Sequence, residues 1–258
     1  MTSRNALERV FIITAQIVAV GAFLICWQMA SEHHVIDPVY FSEPTAIWDQ
    51  LRTWYNTGVL WQNTRATLYV FLVGYVVGTG LGIILGIVIG TLGWFRDVTS
   101  PFVAFFNATP RLVLLPLFIV WFGFGFLAKI ILVISVIVLM VALNVAAGLR
   151  EVRVDVLNNA RLMGAGSGQL VRHVYWPSVA LWVTSTARVT VGYAFNAAIA
   201  AEFIGANTGL GYLIVVGQTQ FQVTQIYAAL AITVIIAIAA DLLLAAIENR
   251  ATRWMPAR

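Results

Sequence analysis

"FLVGYVVGTGLGIILGIVIG", Phe71–Gly90, is twenty residues without a charge. As a helix rising about 1.5 Å per residue, it covers about 30 Å, the thickness of a bilayer's hydrocarbon core. Gly74, Gly78, Gly82, Gly86 and Gly90 recur at every fourth position. Residues four apart share a helix face, so these five form one groove. In lipid, small residues let two helix backbones approach closely. Two partners fit such a groove: another helix of the same chain, or a second copy of it.

The rest of the chain has the same texture. Of 258 residues, 60% are hydrophobic and 10% are charged, whereas a soluble domain is about a quarter charged. The apolar runs are continuous and not alternating. Backbone polar groups must be paired inside lipid, so these runs are helices and not barrel strands. The expected fold is all-α and polytopic, a single domain over 1–258 with six transmembrane helices near 9–30, 64–94, 99–121, 126–149, 176–203 and 224–249. Val10 to Ala30 is longer than the apolar core of a signal peptide and has no small-residue cleavage site, so it reads as an uncleaved first span. Asp37-Pro38 and Glu43-Pro44 mark turns after it, and Ile47 to Tyr55 is amphipathic. Cys26 has no cysteine to pair with and reads as a small buried apolar residue.

Orientation follows from the basic residues. With the N-terminus inside, Arg4, Arg9, Arg96, Arg150, Arg153, Arg161, Arg172, Arg250, Arg253 and Arg258 are all cytoplasmic, ten of fifteen basic residues. Arg52, Arg65 and Lys129 fall in or beside outside segments, and Arg111 and Arg188 lie within spans. Both termini are then cytoplasmic.

The third span is interrupted at Asn107-Ala108-Thr109-Pro110-Arg111. A broken helix is tolerated in a membrane where protein or a water-filled cavity covers the freed backbone, which suggests a pathway-lining element. Arg111, Arg188 and Asn196 are polar residues within spans, and Glu202 closes the fifth. Such residues face a cavity or a partner, so all four are candidates for a pathway or gate. Arg188 is about 18 Å and Asp241 about 12 Å from the cytoplasmic ends of their helices at 1.5 Å per residue. An ion pair between them is expected; the alternative is that Arg188 faces the pathway and attracts an anion. After Glu202, "GANTGLG" reads as a turn into a short outer helix, or as an outer gate or a contact for a delivery protein.

Several chemistries are absent. The only lysine, Lys129, precedes Ile130, so there is no phosphate-cradling loop of the G-x-x-x-x-G-K-[ST] kind. His33, His34 and His173 lack acidic or thiol companions at metal-ligand spacing. No hydrolase motif occurs. The chain reads as a non-enzyme with no metal and no cofactor, and as a membrane protein and not a partner of nucleic acid.

"NNARLMGAGSGQLVRHVYWP", Asn158–Pro177, is the most polar stretch. Val152, Val156, Ala160 and Met163 fall on one face of a first helical piece. Gly164 offers a stop, and Gln169 to Tyr175 forms a second. The whole loop, 150–175, reads as a compact cytoplasmic knob in which Ala160 and Gly164 leave room for close approach by another chain.

This stretch resembles the EAA loop of ABC importer permeases, E-A-A-x3-G-x9-I-x-L-P. Ala160 takes the second alanine, Gly164 follows after three residues, and Val174 and Pro177 complete the spacing. Asn158 and Asn159 stand for Glu-Ala, and Trp176 for Leu. "FSEPTAIWDQL", "PLFIVWFGFGFLAKI" and "AEFIGANTGLGYLI" are similar to the nitrate/sulfonate/taurine branch, over roughly residues 35–250. The resemblance implies a type I (MetI-like) importer permease fold in a bacterial inner membrane. It implies two ABC ATPase subunits, a second copy of the permease, and a periplasmic or surface solute-binding protein. Asn159, Ala160, Arg161, Leu162, Gly164 and Ala165 would contact the ATPase. The substrate would be a small anion (a sulfonate, taurine, nitrate or a carboxylate), with a thiamine-precursor-like ring compound as the alternative. An ATP-independent channel or secondary carrier is the competing class.

Overall fold

The computed structural model describes residues 2–151, 154–170, 173–174 and 176–251. Every regular element among them is helical. They group into two compact units, Met1–Gln62 with Leu213–Ile232, and Asn63–Tyr212 with Thr233–Arg258.

The first unit holds α1 (Thr2–Glu32), α2 (Pro38–Phe41) and α3 (Pro44–Asn56). Both prolines expected to mark turns occupy the first position of a helix, where a missing N–H does no harm. Asp37 caps α2 by accepting from the Val39 N–H at 2.9 Å. The amphipathic stretch is α3, and it buries Trp54. In the same unit the Ser42 and Thr224 hydroxyls lie 2.9 Å apart, and the Trp27 and Tyr227 rings sit 5.6 Å apart. Cys26 is exposed, not buried. It borders an apolar hollow with Phe23, Trp27 and Tyr227, and in a membrane-embedded chain exposure to lipid suits a thiol as well as burial does.

The second unit is organised around α7 (Phe126–Arg150), half of whose most apolar stretch is buried. It carries most of α4 (Val59–Thr91), with α5 (Gly93–Ala108), α6 (Leu115–Phe122) and α10 (Trp176–Glu202). The α4 groove is filled from within the chain. A Cβ at Gly74, Gly78, Gly82, Gly86 or Gly90 would come within 2.6–2.7 Å of Val133, Ile137, Val141, Ala142 or Leu149 on α7. On another side of α7, Gly148 abuts the Trp182 side chain of α10. Leu115, Phe118, Ala128, Leu132 and Ala201 form a buried apolar cluster of α6, α7 and α10.

The expected break in the third span is sharper than a kink. After α5, Thr109 is extended (φ −77°, ψ 125°), as a residue before proline must be. Arg111–Leu114 makes one 3-10 turn, and the chain leaves at 90° to α5. Burial of Leu115 and Phe118 fixes the new direction.

Four of the described helices are long and apolar enough to cross a membrane, and five if the bent pair is one span. α10 is 27 residues long, about 40 Å. It is less apolar because it carries Arg188, Asn196 and several threonines. The remaining helices are α8 (Val154–Leu162), α9 (Ser167–Leu170), α11 (Leu210–Thr219) and α12 (Val223–Ala251).

Candidate functional site: a polar loop, a buried carboxylate and a mid-span cavity

The polar loop is two short helices joined by a defined turn. At the end of α8, the Ala165 N–H donates to Ala160 O at 3.0 Å and the Gly164 N–H to Arg161 O at 2.9 Å. This pair of bonds is a Schellman termination, which needs a left-handed residue at the turn. Gly164 has φ +83° and open space around its Cα. Its role within this chain is therefore conformational. α9 is then capped from its own side chain, Gln169 Oε1 accepting from the Gly166 N–H at 2.9 Å, half of a capping box. His173 Nδ1 lies 3.1 Å from Gln169 O.

The turn projects its apolar residues outward. Leu162 is 85% and Met163 88% exposed. Asn159 and Arg161 are also exposed, while Ala160 and Ala165 are half-buried. Met163 does not join Val156 and Ala160 on the face of α8, because the helix ends at Leu162 and the Schellman turn carries Met163 away. Val152, assigned to the same face, lies outside the described residues.

The four pathway candidates are not one site. Glu202 is 1% exposed at the end of α10. Its two carboxylate oxygens each lie 2.9 Å from Thr67 Oγ1, which donates, and Oε2 accepts from the Gly211 N–H at 2.9 Å. Thr67 Oγ1 in turn accepts from the Leu210 N–H at 2.8 Å, and Asn63 Oδ1 from the Gly209 N–H at 2.8 Å. Lys129, also buried, supplies the nearby positive charge and lies over the Phe126 ring. The "GANTGLG" turn is thus stitched to α4 by a fully engaged carboxylate. Gly209 has φ +123°, and a Cβ there would run into the Glu202 carboxylate. Hydropathy could not reveal Asn63, Thr67 and Lys129, although a lone lysine in so apolar a chain was a signal that it had a buried acid to meet.

Arg188 Nε lies 3.6 Å from Asp241 Oδ1, the pairing that the depth arithmetic expects. Asn196 is exposed on α10. Arg111 borders a cavity of about 370 Å³. Its polar lining adds Asn107, Thr109, Asn144 and Tyr193, and its apolar wall is Val136, Leu139, Met140 and Leu143 of α7. Arg111 Nη1 donates to Ser135 O at 3.1 Å.

The whole pattern has counterparts among known proteins. The model of the family described as binding-protein-dependent transport system inner membrane component matches residues 78–253, about two thirds of the chain. The chain belongs to this family. It is 27% identical over 247 residues to the taurine transport system permease protein TauC of Escherichia coli (strain K12), covering 94% of this chain and 90% of that protein. It is 32% identical over 199 residues to the riboflavin transport system permease protein RibX of Chloroflexus aurantiacus, covering 77% and 74%. It is 29% identical to the putative aliphatic sulfonates transport permease protein SsuC of Escherichia coli (strain K12), covering 90% and 88%. Its fold is similar to that of a chain of the inward-facing MetNI methionine ABC transporter, with TM-score 0.61 and 23% identity over 78% of this chain and 97% of that one. A chain from an amino acid ABC transporter with histidines matches with TM-score 0.64 and 19% identity, over 78% and 97%. The protein is accordingly an integral inner-membrane permease component of an ABC importer with the MetI-type fold.

Proposed function

We propose that this permease forms the translocation pathway for a small anion, of the sulfonate, taurine, nitrate or carboxylate kind. Residues 154–170 dock onto a separate ATPase subunit. Two ATPase subunits, a second copy of the permease and a solute-binding protein complete the transporter, and both termini and the 150–175 loop are cytoplasmic. Asn159, Ala160, Arg161, Leu162, Gly164 and Ala165 are the docking residues.

The observation that carries this proposal is the loop's shape. It is a short helix with a Schellman end and a side-chain-capped successor, offering Leu162 and Met163 almost fully exposed. An unoccupied apolar tip on an ordered turn is suited to fill a cleft on another protein. ATP-driven closure of the ATPase pair would draw two such tips together. The helices behind them would then tilt as packed bodies, because close-packed interiors move as units and do not deform continuously. The substrate assignment rests on the taurine and sulfonate relatives; the riboflavin relative keeps a ring compound as the second reading.

The test is uptake into proteoliposomes of the permease, its ATPase subunits and its binding protein, with labelled taurine, butanesulfonate, nitrate and riboflavin as probes. ATP-dependent accumulation of one of the anions supports the proposal. Accumulation of riboflavin alone moves the substrate class, and uptake by the lone chain without ATP replaces the importer with a channel or carrier.

A further inference from the structure

The cavity beside Arg111 lies where the membrane path is most interrupted. Its floor is the Val136–Asn144 stretch of α7, 10 to 18 residues beyond the start of that helix at Phe126. At 1.5 Å per residue this is about 15–27 Å along it, close to its middle. Its rim is the end of α5, the extended Thr109 and the 3-10 turn. Non-helical backbone at such depth is tolerated where it lines a cavity, and discontinuous helices hold ligands near the midplane in other transporters.

The lining has a definite chemical character. Among the described residues that line the cavity, Arg111 is the one charged group and none is a carboxylate. One guanidinium N–H is spent on Ser135 O, which fixes the side chain. The remaining four donors make no hydrogen bond among the described residues, and a planar fork suits a sulfonate or carboxylate. Asn144 donates Nδ2 to Met140 O at 2.8 Å, so its side chain is also held in place. Opposite these polar groups the wall is aliphatic. A volume of about 370 Å³ lies in the range of sites for small organic molecules, which combine apolar walls with a few placed polar groups.

We propose that this cavity is an intramembrane selectivity site for an organic anion, a sulfonate or carboxylate head on a short apolar body. The Arg111 fork takes the head, and Met140 and Leu143 take the body. The proposal rests on the permease reading above and adds a ligand site of its own. The site rejects cations by charge. It also discriminates against inorganic anions, which leave the aliphatic wall uncovered.

The experiment uses the permease with its ATPase subunits in nanodiscs, without the binding protein. Isothermal titration calorimetry measures n-alkanesulfonates and n-alkanecarboxylates of one to six carbons, with sodium sulfate and n-butylammonium as controls. Affinity rises about three- to fourfold per methylene until the cavity is full, and the stronger series identifies the head group. Sulfate and butylammonium bind at least tenfold more weakly than the best anion. Arg111→Gln weakens that anion at least tenfold and Arg111→Lys by less, because a point charge replaces a fork. Leu143→Trp, which fills the cavity from the α7 side, abolishes binding and serves as the second variant if Arg111→Gln does not assemble. No binding of either series to a complex that hydrolyses ATP overturns the site while the permease reading stands. Undiminished binding in Arg111→Gln or Leu143→Trp, or equal binding of butylammonium, overturns it as well. A complex that retains no ATPase subunits removes the permease reading, and the site falls with it.

Discussion

Gly86→Ala and Gly80→Ala are the same chemical change six residues apart on one helix, and the structure gives them opposite outcomes. A Cβ at Gly86 would stand 2.6 Å from Ala142 O, 2.7 Å from Val145 Cβ and 3.0 Å from Ala142 Cα. Carbon contacts are comfortable at about 3.5–4.0 Å, so the helices must separate by several tenths of an ångström or more. Two of these neighbours are backbone atoms of α7 and cannot rotate away. Separation at Gly86 also loosens the contacts at Gly82 and Gly90. Overpacking of this kind costs about 1–3 kcal/mol, against a gain of up to about 1 kcal/mol in helix propensity. Gly80 has nothing within 4 Å of the added atom, so only the propensity gain applies there. The two variants should differ by about 1–3 kcal/mol, or about 2–12 °C at about 2–4 °C per kcal/mol. Tryptophan fluorescence during heating of the purified detergent-solubilised chain measures this difference. Equal melting temperatures, or a Gly80→Ala variant that melts below Gly86→Ala, would refute the close α4–α7 contact.

Three further outcomes are expected. Thr67→Val removes a donor from the buried Glu202 carboxylate and an acceptor from the Leu210 N–H; it should cost about 2–3 kcal/mol in denaturant titration, with Thr67→Ser close to the parent. The Arg188 and Asp241 side chains are each about half exposed (48% and 54%), so a double-mutant cycle of Arg188→Ala and Asp241→Ala should give a coupling of no more than about 1 kcal/mol. Gly164→Ala places a Cβ at φ +83°, a cost of about 1–2 kcal/mol; ATPase docking measured by surface plasmon resonance should weaken about five- to thirtyfold, and Gly164→Asn, which tolerates this region better, should lose less.

Much of the architecture was legible because lipid imposes simple rules. Long uncharged runs, the four-residue glycine spacing and the proline at position 110 each point to a local consequence that the structure contains. Other features depend on distant partners. α4 begins at Val59 and not near residue 64, because Asn63 and Thr67, polar on any hydropathy scale, are buried against the Gly209–Gly211 backbone 143 to 146 residues away. Pro110 announces a break but not a 90° bend, since burial of Leu115 and Phe118 sets the angle. Arg111 was visible as an intramembrane charge, whereas Asn144 and Tyr193 become its neighbours only when α7 and α10 come together beside the break. In the 154–170 loop the glycine stop was readable from composition. Met163 was misplaced because helical periodicity was carried one residue past the true end of α8.

The central claim is that an ordered apolar tip couples this permease to a separate motor. The direct measurement is ATPase-subunit retention during co-purification of Leu162→Asp, Met163→Asp and the unaltered chain from the same membranes. Both residues are almost fully exposed, and exposed substitutions away from caps and the core usually change stability by no more than about 0.5 kcal/mol. Each aspartate should release the ATPase subunits while permease yield is unchanged. Full retention of those subunits by both variants would contradict the claim.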